Sequence, residues 1–184
     1  EEVFLKEFVM DIKIITKDNE EGLLLSNNPF AISGELVVKR NSDCWSYDIK
    51  RYSQAKMRWQ TFPDENYSLK DVNNTGFALG AFDNNQPIGL AIFQDQRTKY
   101  LYLADLKVSK KYRRRGVAKL LLNKAKKLAE AQKYLGFWVI AQNNNLGACL
   151  FYLKYGFIIG GLDTKIYDHS SQAEKQNVHF YYDF

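Results

Sequence analysis

Val108-Ser109-Lys110-Lys111-Tyr112-Arg113-Arg114-Arg115-Gly116-Val117-Ala118 joins two different periodicities. Upstream, Tyr100 to Val108 has the β-rich character of a strand. Downstream, Gly116 to Lys133 places Val117, Leu121, Ala125 and Leu128, with Ala118, Leu122 and Ala129, on one side. Lys119, Asn123, Lys126, Lys127 and Glu130 fall opposite, so the segment predicts an amphipathic helix of about five turns. The first N–H groups of such a helix have no intrahelical partner and lie at the positive end of its dipole. A loop of this kind is a ready anion site. Gly116 permits a tight turn and close backbone approach, Ala118 keeps the first turn small, and three arginines add forked cationic donors. A pyrophosphate suits the arrangement, whereas neither the Walker loop nor the Rossmann glycine pattern is matched.

Working outward, the chain divides into a β-rich first half and a mixed second half. Ile12 to Thr16 is expected as a strand and Lys17 to Leu25 as a short helical or loop piece. Ile32 to Arg40 and Cys44 to Tyr52 are expected strands around the Asn41-Ser42-Asp43 turn. Gln54 to Asn74 gives no clear period and is expected as a long loop with some helix. Gly76 to Phe82 and Ile88 to Gln94 flank Asp83-Asn84-Asn85-Gln86-Pro87, a hairpin signature. After the basic helix, Leu135 to Ala141 is expected as a strand, and Asn145 to Tyr155 as a helix stopped by Gly156. Phe157 to Ile159, Thr164 to Tyr167 and Val178 to Phe184 close the pattern as strands. The order implies one mixed α/β domain over 10–184, with residues 1–9 as upstream or appended sequence ahead of a natural start at Met10.

Composition narrows the class. The 184 residues are 46% hydrophobic and 26% charged with only 3 Pro, which excludes a disordered or collagenous chain. No apolar run reaches the roughly 20 residues of a membrane span, and the first residues carry no basic-then-apolar leader. Cys44 and Cys149 cannot form a disulfide framework, and with His169 and His179 as the only histidines no metal site is expected. Free thiols in the cytoplasm are the expectation. Residues 1–75 carry 10 Lys/Arg against 13 Asp/Glu, while 76–184 carry 16 against 8; Leu106 to Lys133 alone holds 11 basic residues and one acid. An anionic ligand near that segment follows.

Arg113-x-x-Gly116-x-Ala118, after a strand and opening a helix, resembles the acetyl-CoA loop of the GNAT N-acetyltransferases. The stretch Asn143-Asn144-Asn145-Leu146-Gly147-Ala148-Cys149-Leu150-Phe151-Tyr152-Leu153-Lys154-Tyr155-Gly156-Phe157 resembles a second element of that family, in the expected order. Within it, Ala104-Asp105-Leu106-x-Val108, Gln142-Asn143-Asn144-Asn145, Phe151-Tyr152, Gly156-Phe157-x-Ile159-Gly160, Asp163-Thr164 and Phe180-Tyr181-Tyr182, together with Asn28-Pro29-Phe30, are most similar to the streptothricin acetyltransferase group. The resemblance implies a GNAT fold: a mostly antiparallel, twisted central sheet of six to seven strands flanked by helices. It implies acetyl-CoA as co-substrate and a small-molecule primary amine, such as streptothricin, as acceptor, in a monomer or homodimer. The middle of the chain offers that acceptor only Asp64, Glu65 and Asp71, interleaved with Lys56, Arg58 and Lys70.

By the same resemblance, Leu106, Lys107, Val108, Arg113, Arg114, Arg115, Gly116, Val117, Ala118, Lys119, Asn145, Ala148 and Tyr152 bind the co-substrate, the strand residues through backbone groups. Tyr152 is also implied as the acid toward the departing thiol. On the predicted helix it shares a face with Asn145 and Ala148 at i, i+3 and i+7 spacing. Asp105, in the strand Tyr100–Val108, is expected on the same face as Leu101 and Leu103, where desolvation raises a carboxyl toward a useful base. A base is needed because an aliphatic amine is only about 0.04% neutral at pH 7. Cys149 has no histidine in its motif and is expected as a buried core residue, so transfer is expected to be direct, in a ternary complex. Trp59, Asp64 and Tyr67 are candidates to line the acceptor pocket. Two alternatives stand beside this reading: a protein N-acetyltransferase of the same fold, and a nucleic-acid-binding module suggested by the pI near 9.0. The basic residues gather at one helix start without an RNA-type aromatic pair, so no nucleic-acid or membrane partner is expected.

Overall fold

The computed structural model describes residues 10–184; the sequence reading of residues 1–9 lies outside them. Strands β1 (Met10–Ile14), β2 (Phe30–Ile32), β3 (Gly34–Asn41), β4 (Cys44–Arg51) and β5 (Arg58–Gln60) precede helix α1 (Leu69–Thr75). Then come β6 (Gly76–Asp83), β7 (Gln86–Gln94), β8 (Tyr100–Val108), α2 (Val117–Ala131), β9 (Gly136–Gln142), α3 (Leu146–Tyr155), β10 (Ile158–Asp163) and β11 (Asn177–Asp183). Seven strands form the central sheet in the order β1-β6-β7-β8-β9-β11-β10. All neighbours are antiparallel except β8 and β9, which α2 connects as a crossover. This is the mixed sheet that the sequence implies. β3 and β4 form a separate hairpin, and β2 with β5 a three-residue pair.

The turn at Asp83–Gln86 is tighter than its five polar residues suggest. Asn84 and Asn85 alone make the loop, both in the left-handed region at φ 47° and 64°, as a two-residue hairpin requires. Gly156 ends α3 at φ 119°. The one expected strand that fails is Thr164 to Tyr167. Asp163 accepts the N–H groups of Lys165 and Ile166 at 2.8 and 3.0 Å, and this local turn removes both donors from any ladder.

The sheet has two unlike faces. One packs α2 and α3 over Leu79, Ala91, Phe93, Leu101, Leu103, Phe137, Val139 and Phe180. Tyr155 on α3 donates to Asn123 on α2 at 2.9 Å, which places the helices side by side on that face. The other packs the 3-10 segment Lys17–Leu24 and α1 over Ile15, Ala78, Phe82, Leu90 and Ile92. Among the described residues no helix is long and apolar enough to cross a membrane. Leu121 of α2 is fully buried in the larger core. Leu121→Ala is expected to destabilise the protein by about 2–5 kcal/mol, visible as a lower urea midpoint with an unchanged slope.

Candidate active site

β8 and β9 pair only at Tyr100–Gly136, Leu101–Phe137 and Tyr102–Trp138. Beyond them β8 stays bonded to β7 as far as Val108, and β9 to β11 as far as Gln142. The two strands therefore diverge, and the backbone groups on their facing edges have no ladder partner. A bulge lies where pairing stops: Ile92 pairs with Asp105 and Phe93 with Leu103, so Ala104 is the extra residue. Such a bulge bends its strand and shifts the alternation of side chains. Leu101 and Leu103 before it, and Leu106 and Val108 after it, all belong to the core under α2 and α3. Asp105 pairs with Ile92 and Lys107 with Leu90, both residues of the opposite core. The expectation that Asp105 shares a face with Leu101 and Leu103 is thus corrected: uninterrupted alternation does not hold through Ala104.

The mouth of this cleft is the start of α2. Gly116 is its N-cap at φ 85°, without a side-chain cap. Arg114 is also left-handed, at φ 63°. Leu120 is the first N–H to close on the helix, onto Gly116 O at 3.0 Å, so Val117, Ala118 and Lys119 present theirs outward. A Cβ on Gly116 would meet nothing within 4 Å; the glycine answers to the backbone angle, and the space in front of it is open. Left-handed residues of this kind curl successive N–H groups into an anion-binding concavity.

Arg113 does something else. Its Nε donates to Val108 O at 3.1 Å, and its two terminal nitrogens to Pro29 O and Asn28 O at 2.7 and 3.0 Å. Its backbone N–H is held by Lys110 O. The Arg113 side chain, expected with Arg114 and Arg115 as a phosphate donor, has three of its five N–H groups on carbonyls. It clamps residues 28–29 over the loop, and Asn28 returns a bond, accepting the Lys110 N–H at 2.7 Å.

On the α-helical face of the cleft, Asn145 caps α3 by accepting the Ala148 N–H at 3.3 Å. Tyr152 is 6% exposed and packs among the rings of Phe151, Phe157 and Phe180. Its hydroxyl has no hydrogen-bond partner among the described residues. Burial pushes its pKa upward, and the charge of Asp105 pushes it further. Cys149 is fully buried in the same core. Burial pushes its thiol up to about 12, and the S–H rests on Gln142 O at 3.5 Å.

On the opposite face a charged cluster sits beside the diverging strands. Lys107 Nζ lies 2.6 Å from Glu65 Oε2 and 3.1 Å from Asp105 Oδ2. The Tyr67 hydroxyl donates to the same Oδ2 at 3.2 Å. Asn27 holds Glu65 Oε2 at 2.9 Å, and its backbone and amide also bind Asp64 and Pro63. Desolvation raises the pKa of Asp105, with Lys107 and the Tyr67 hydrogen bond acting in the other direction. Burial works against the Lys107 charge, yet the Glu65 hydrogen bond and the Asp105 charge leave its pKa above the usual value. The side chain of Lys107, grouped in the sequence with co-substrate contacts, faces these acids. The rings of Tyr102 and Trp138 meet at a tilt of 35°, with centroids 4.4 Å apart, where the cleft closes.

Residues 37–157 match the Acetyltransferase (GNAT) family. The chain belongs to the GNAT acetyltransferases. Streptothricin acetyltransferase A of Bacillus subtilis (strain 168) is 30% identical over 159 residues, which span 86% of this chain and 91% of that protein. A streptothricin acetyltransferase of Escherichia coli is 30% identical over 62% of this chain and 66% of its own length. Among solved structures, a candidate streptothricin acetyltransferase from Bacillus anthracis str. Ames, in complex with acetyl coenzyme A, superposes with TM-score 0.83 at 25% identity. That match covers 96% of this chain and 99% of the other. A nourseothricin acetyltransferase has the same fold, with TM-score 0.77 at 18% identity over 95% and 98% of the two chains.

The GNAT motifs point to the loop and to α3; the sequence offers Glu65 only as one of three acids in the middle of the chain, and it is silent on Asn27 and on the Lys107 side chain as the partners of Glu65. Glu65 meets Lys107 across 42 residues that include strands β6 and β7, and no spacing rule connects them. Asp64 caps the Asn27 N–H and Tyr67 touches Asp105, so two of the three candidate lining residues reach the cluster's surroundings. Trp59 instead lies under the Lys110 ammonium at 5.5 Å. Cys44 is exposed and Cys149 buried. A chromogenic disulfide reagent at pH 8 is expected to titrate one thiol in the native protein and two in denaturant.

Proposed function

We propose that the protein transfers the acetyl group of acetyl-CoA to a primary amine of a small cationic molecule, streptothricin-type amines included, directly within a ternary complex. One observation carries this reading. The gap between β8 and β9 has an anion-binding helix start at its mouth, Tyr152 on one face and Asp105 on the other. A donor and an acceptor entering from opposite faces would meet in it.

On this reading the N–H groups of Arg114 to Lys119 and the Arg114 and Arg115 side chains hold the pyrophosphate. The open β8 edge at Leu106 and Val108 pairs with the amides of the pantetheine arm as an added strand would. Asn145 fixes the start of α3, and Ala148 keeps its facing turn small enough for the arm to pass. Arg113 shapes the loop through its hold on Asn28 and Pro29. The acceptor side bears two carboxylates and one ammonium, a net negative charge beside the rings of Tyr67, Tyr102 and Trp138. Such a surface favours a cation.

Transfer then needs three proton movements. The acceptor ammonium gives its proton to Asp105, and the neutral amine attacks the thioester carbonyl. When the carbon–sulfur bond breaks, the sulfur takes the Tyr152 hydroxyl proton, and the second proton that the attacking nitrogen sheds as the neutral amide forms passes through solvent to restore the Tyr152 hydroxyl. Burial raises the basicity of the leaving thiolate as it raises that of the phenolate, so the two remain matched. Cys149, with its thiol pushed up to about 12, is no nucleophile at neutral pH, which favours direct transfer over an acetylated enzyme.

Calorimetric titration is expected to show acetyl-CoA binding, weakened roughly tenfold or more by Arg115→Ala. Absence of binding by the parent protein would end the reading. Tyr152→Phe is expected to lower kcat by about 100-fold or more with acetyl-CoA binding retained. A panel of amines that includes streptothricin, followed by CoA release, identifies the acceptor. Turnover of neutral or anionic amines in preference to cationic ones contradicts the acidic cleft.

A further inference from the structure

We infer that Lys107 is a positioning residue for this reaction: its ammonium, with the Tyr67 hydroxyl, fixes Oδ2 of Asp105 and leaves Oδ1 as the atom that takes the acceptor's proton. The assignment rests on Asp105 being the base. Both partners lie on the same oxygen, Lys107 at 3.1 Å and Tyr67 at 3.2 Å. Oδ1 receives no hydrogen bond from the described residues, and it is not among the sealed, unpartnered polar atoms. One oxygen is clamped and the other is open.

The clamp is itself built from outside the strand. Asp105 and Lys107 stand two residues apart on β8, after the bulge, and so share a face. Lys107 is 9% exposed, and a lysine held there as a cation needs paired acceptors. Glu65 supplies one at 2.6 Å, and Asn27 holds Glu65 in turn at 2.9 Å. The segment around Pro63 to Tyr67 thus delivers both a hydroxyl and a carboxylate to β8, one to each member of the pair.

The consequence is chemical as well as geometric. Asp105 is 14% exposed on its side chain, and desolvation alone drives its carboxyl toward the neutral form, in which it cannot accept a proton. The groups that act on it are Lys107 of its own strand, Glu65 and Tyr67 of the preceding segment, and Tyr152 of α3 across the gap, while Tyr102 of its strand adjoins Tyr67 and Tyr152. Lys107 is the one cation among them. It opposes the burial, while the Glu65 charge adds to it. The two neighbours therefore act on Asp105 with opposite sign. A carboxylate–lysine pair kept only for folding would influence the melting temperature but would have no reason to move the rate profile in two directions.

The test is the pH dependence of kcat/KM for the parent, Lys107→Met, Lys107→Arg, Glu65→Gln and Asp105→Asn, each with a melting temperature and an acetyl-CoA titration. The acceptor's own pKa is common to all, so differences in the acid limb belong to the enzyme. Activity needs Asp105 ionised and rises with pH through its pKa. Removing the cation raises that pKa, so Lys107→Met is expected to move the acid limb to higher pH. Removing the carboxylate lowers it, so Glu65→Gln moves the limb to lower pH. Lys107→Arg returns the limb toward the parent position, and acetyl-CoA binding persists throughout. Superimposable limbs for Lys107→Met, Glu65→Gln and parent, with Asp105→Asn reduced about 100-fold or more, overturn the role of Lys107 and leave the base in place. Full activity in Asp105→Asn overturns the base reading itself. If Lys107→Met does not fold, Lys107→Gln takes its place as the variant without the cation, and the opposite-sign expectation stands or falls on it and Glu65→Gln.

Discussion

Three residue pairs hold β8 to β9, and the geometry of the site depends on their stopping there. A parallel pair inside a sheet normally continues, because each buried N–H and C=O left without a partner costs free energy comparable to a lost hydrogen bond. Here the bulge at Ala104 bends β8 as pairing ends, while β7 and β11 keep the outer edges of both strands engaged. The opening is consequently held from outside and cannot zip shut by sliding. The same added residue turns Asp105 and Lys107 away from the core that Leu101 and Leu103 fill. One insertion thus makes both the passage and the polarity of its far wall.

In the proposed mechanism, separating Tyr152 and Asp105 onto opposite faces lets one desolvated region run two different chemistries. Burial raises the pKa of Tyr152, Cys149 and Asp105 alike. For the phenol and the thiol this keeps the proton on at neutral pH, so one can donate and the other stays inert. For the carboxyl the same effect is harmful unless opposed, and only the Asp105 face carries a cation close enough to oppose it. The environments differ through one ammonium, not through different depths of burial.

What the sequence made legible follows the range of the interactions. Tyr100–Val108 and the body of α2 come out with the bounds their periodicity gives, and Gly116 and Gly156 are placed by backbone angles that few other residues adopt. Asn145, where the expected helix starts, is its cap, because capping acts over three residues. Thr164 to Tyr167 misleads because its β-branched and aromatic composition is outweighed by the Asp163 side chain. The face of Asp105 misleads because a bulge leaves no mark in an alternating pattern; it shows only in the register with β7. Arg113 looks like its two neighbours by type, yet its partners, Asn28 and Pro29, lie more than eighty residues away. Glu65 is legible only as an acid, because its partners Asn27 and Lys107 lie 38 and 42 residues away. Local rules found the loop and the helices, and none of them could assemble the acidic wall.

The charge pattern resolves in the same way. The basic run from Leu106 to Lys133 looks like one surface, but its members divide by role. Arg113 donates to backbone carbonyls, and Lys107 is paired with two carboxylates. The remaining cations at the start of α2 are what an anionic donor would meet. On the other face the balance reverses, because Glu65 and Asp105 together exceed the one lysine they share. An anionic donor and a cationic acceptor would each be drawn to one side of the gap and repelled from the other. Sorting the two substrates before they touch needs no moving part, only the fact that Lys107 belongs to the acids and not to the basic loop beside it.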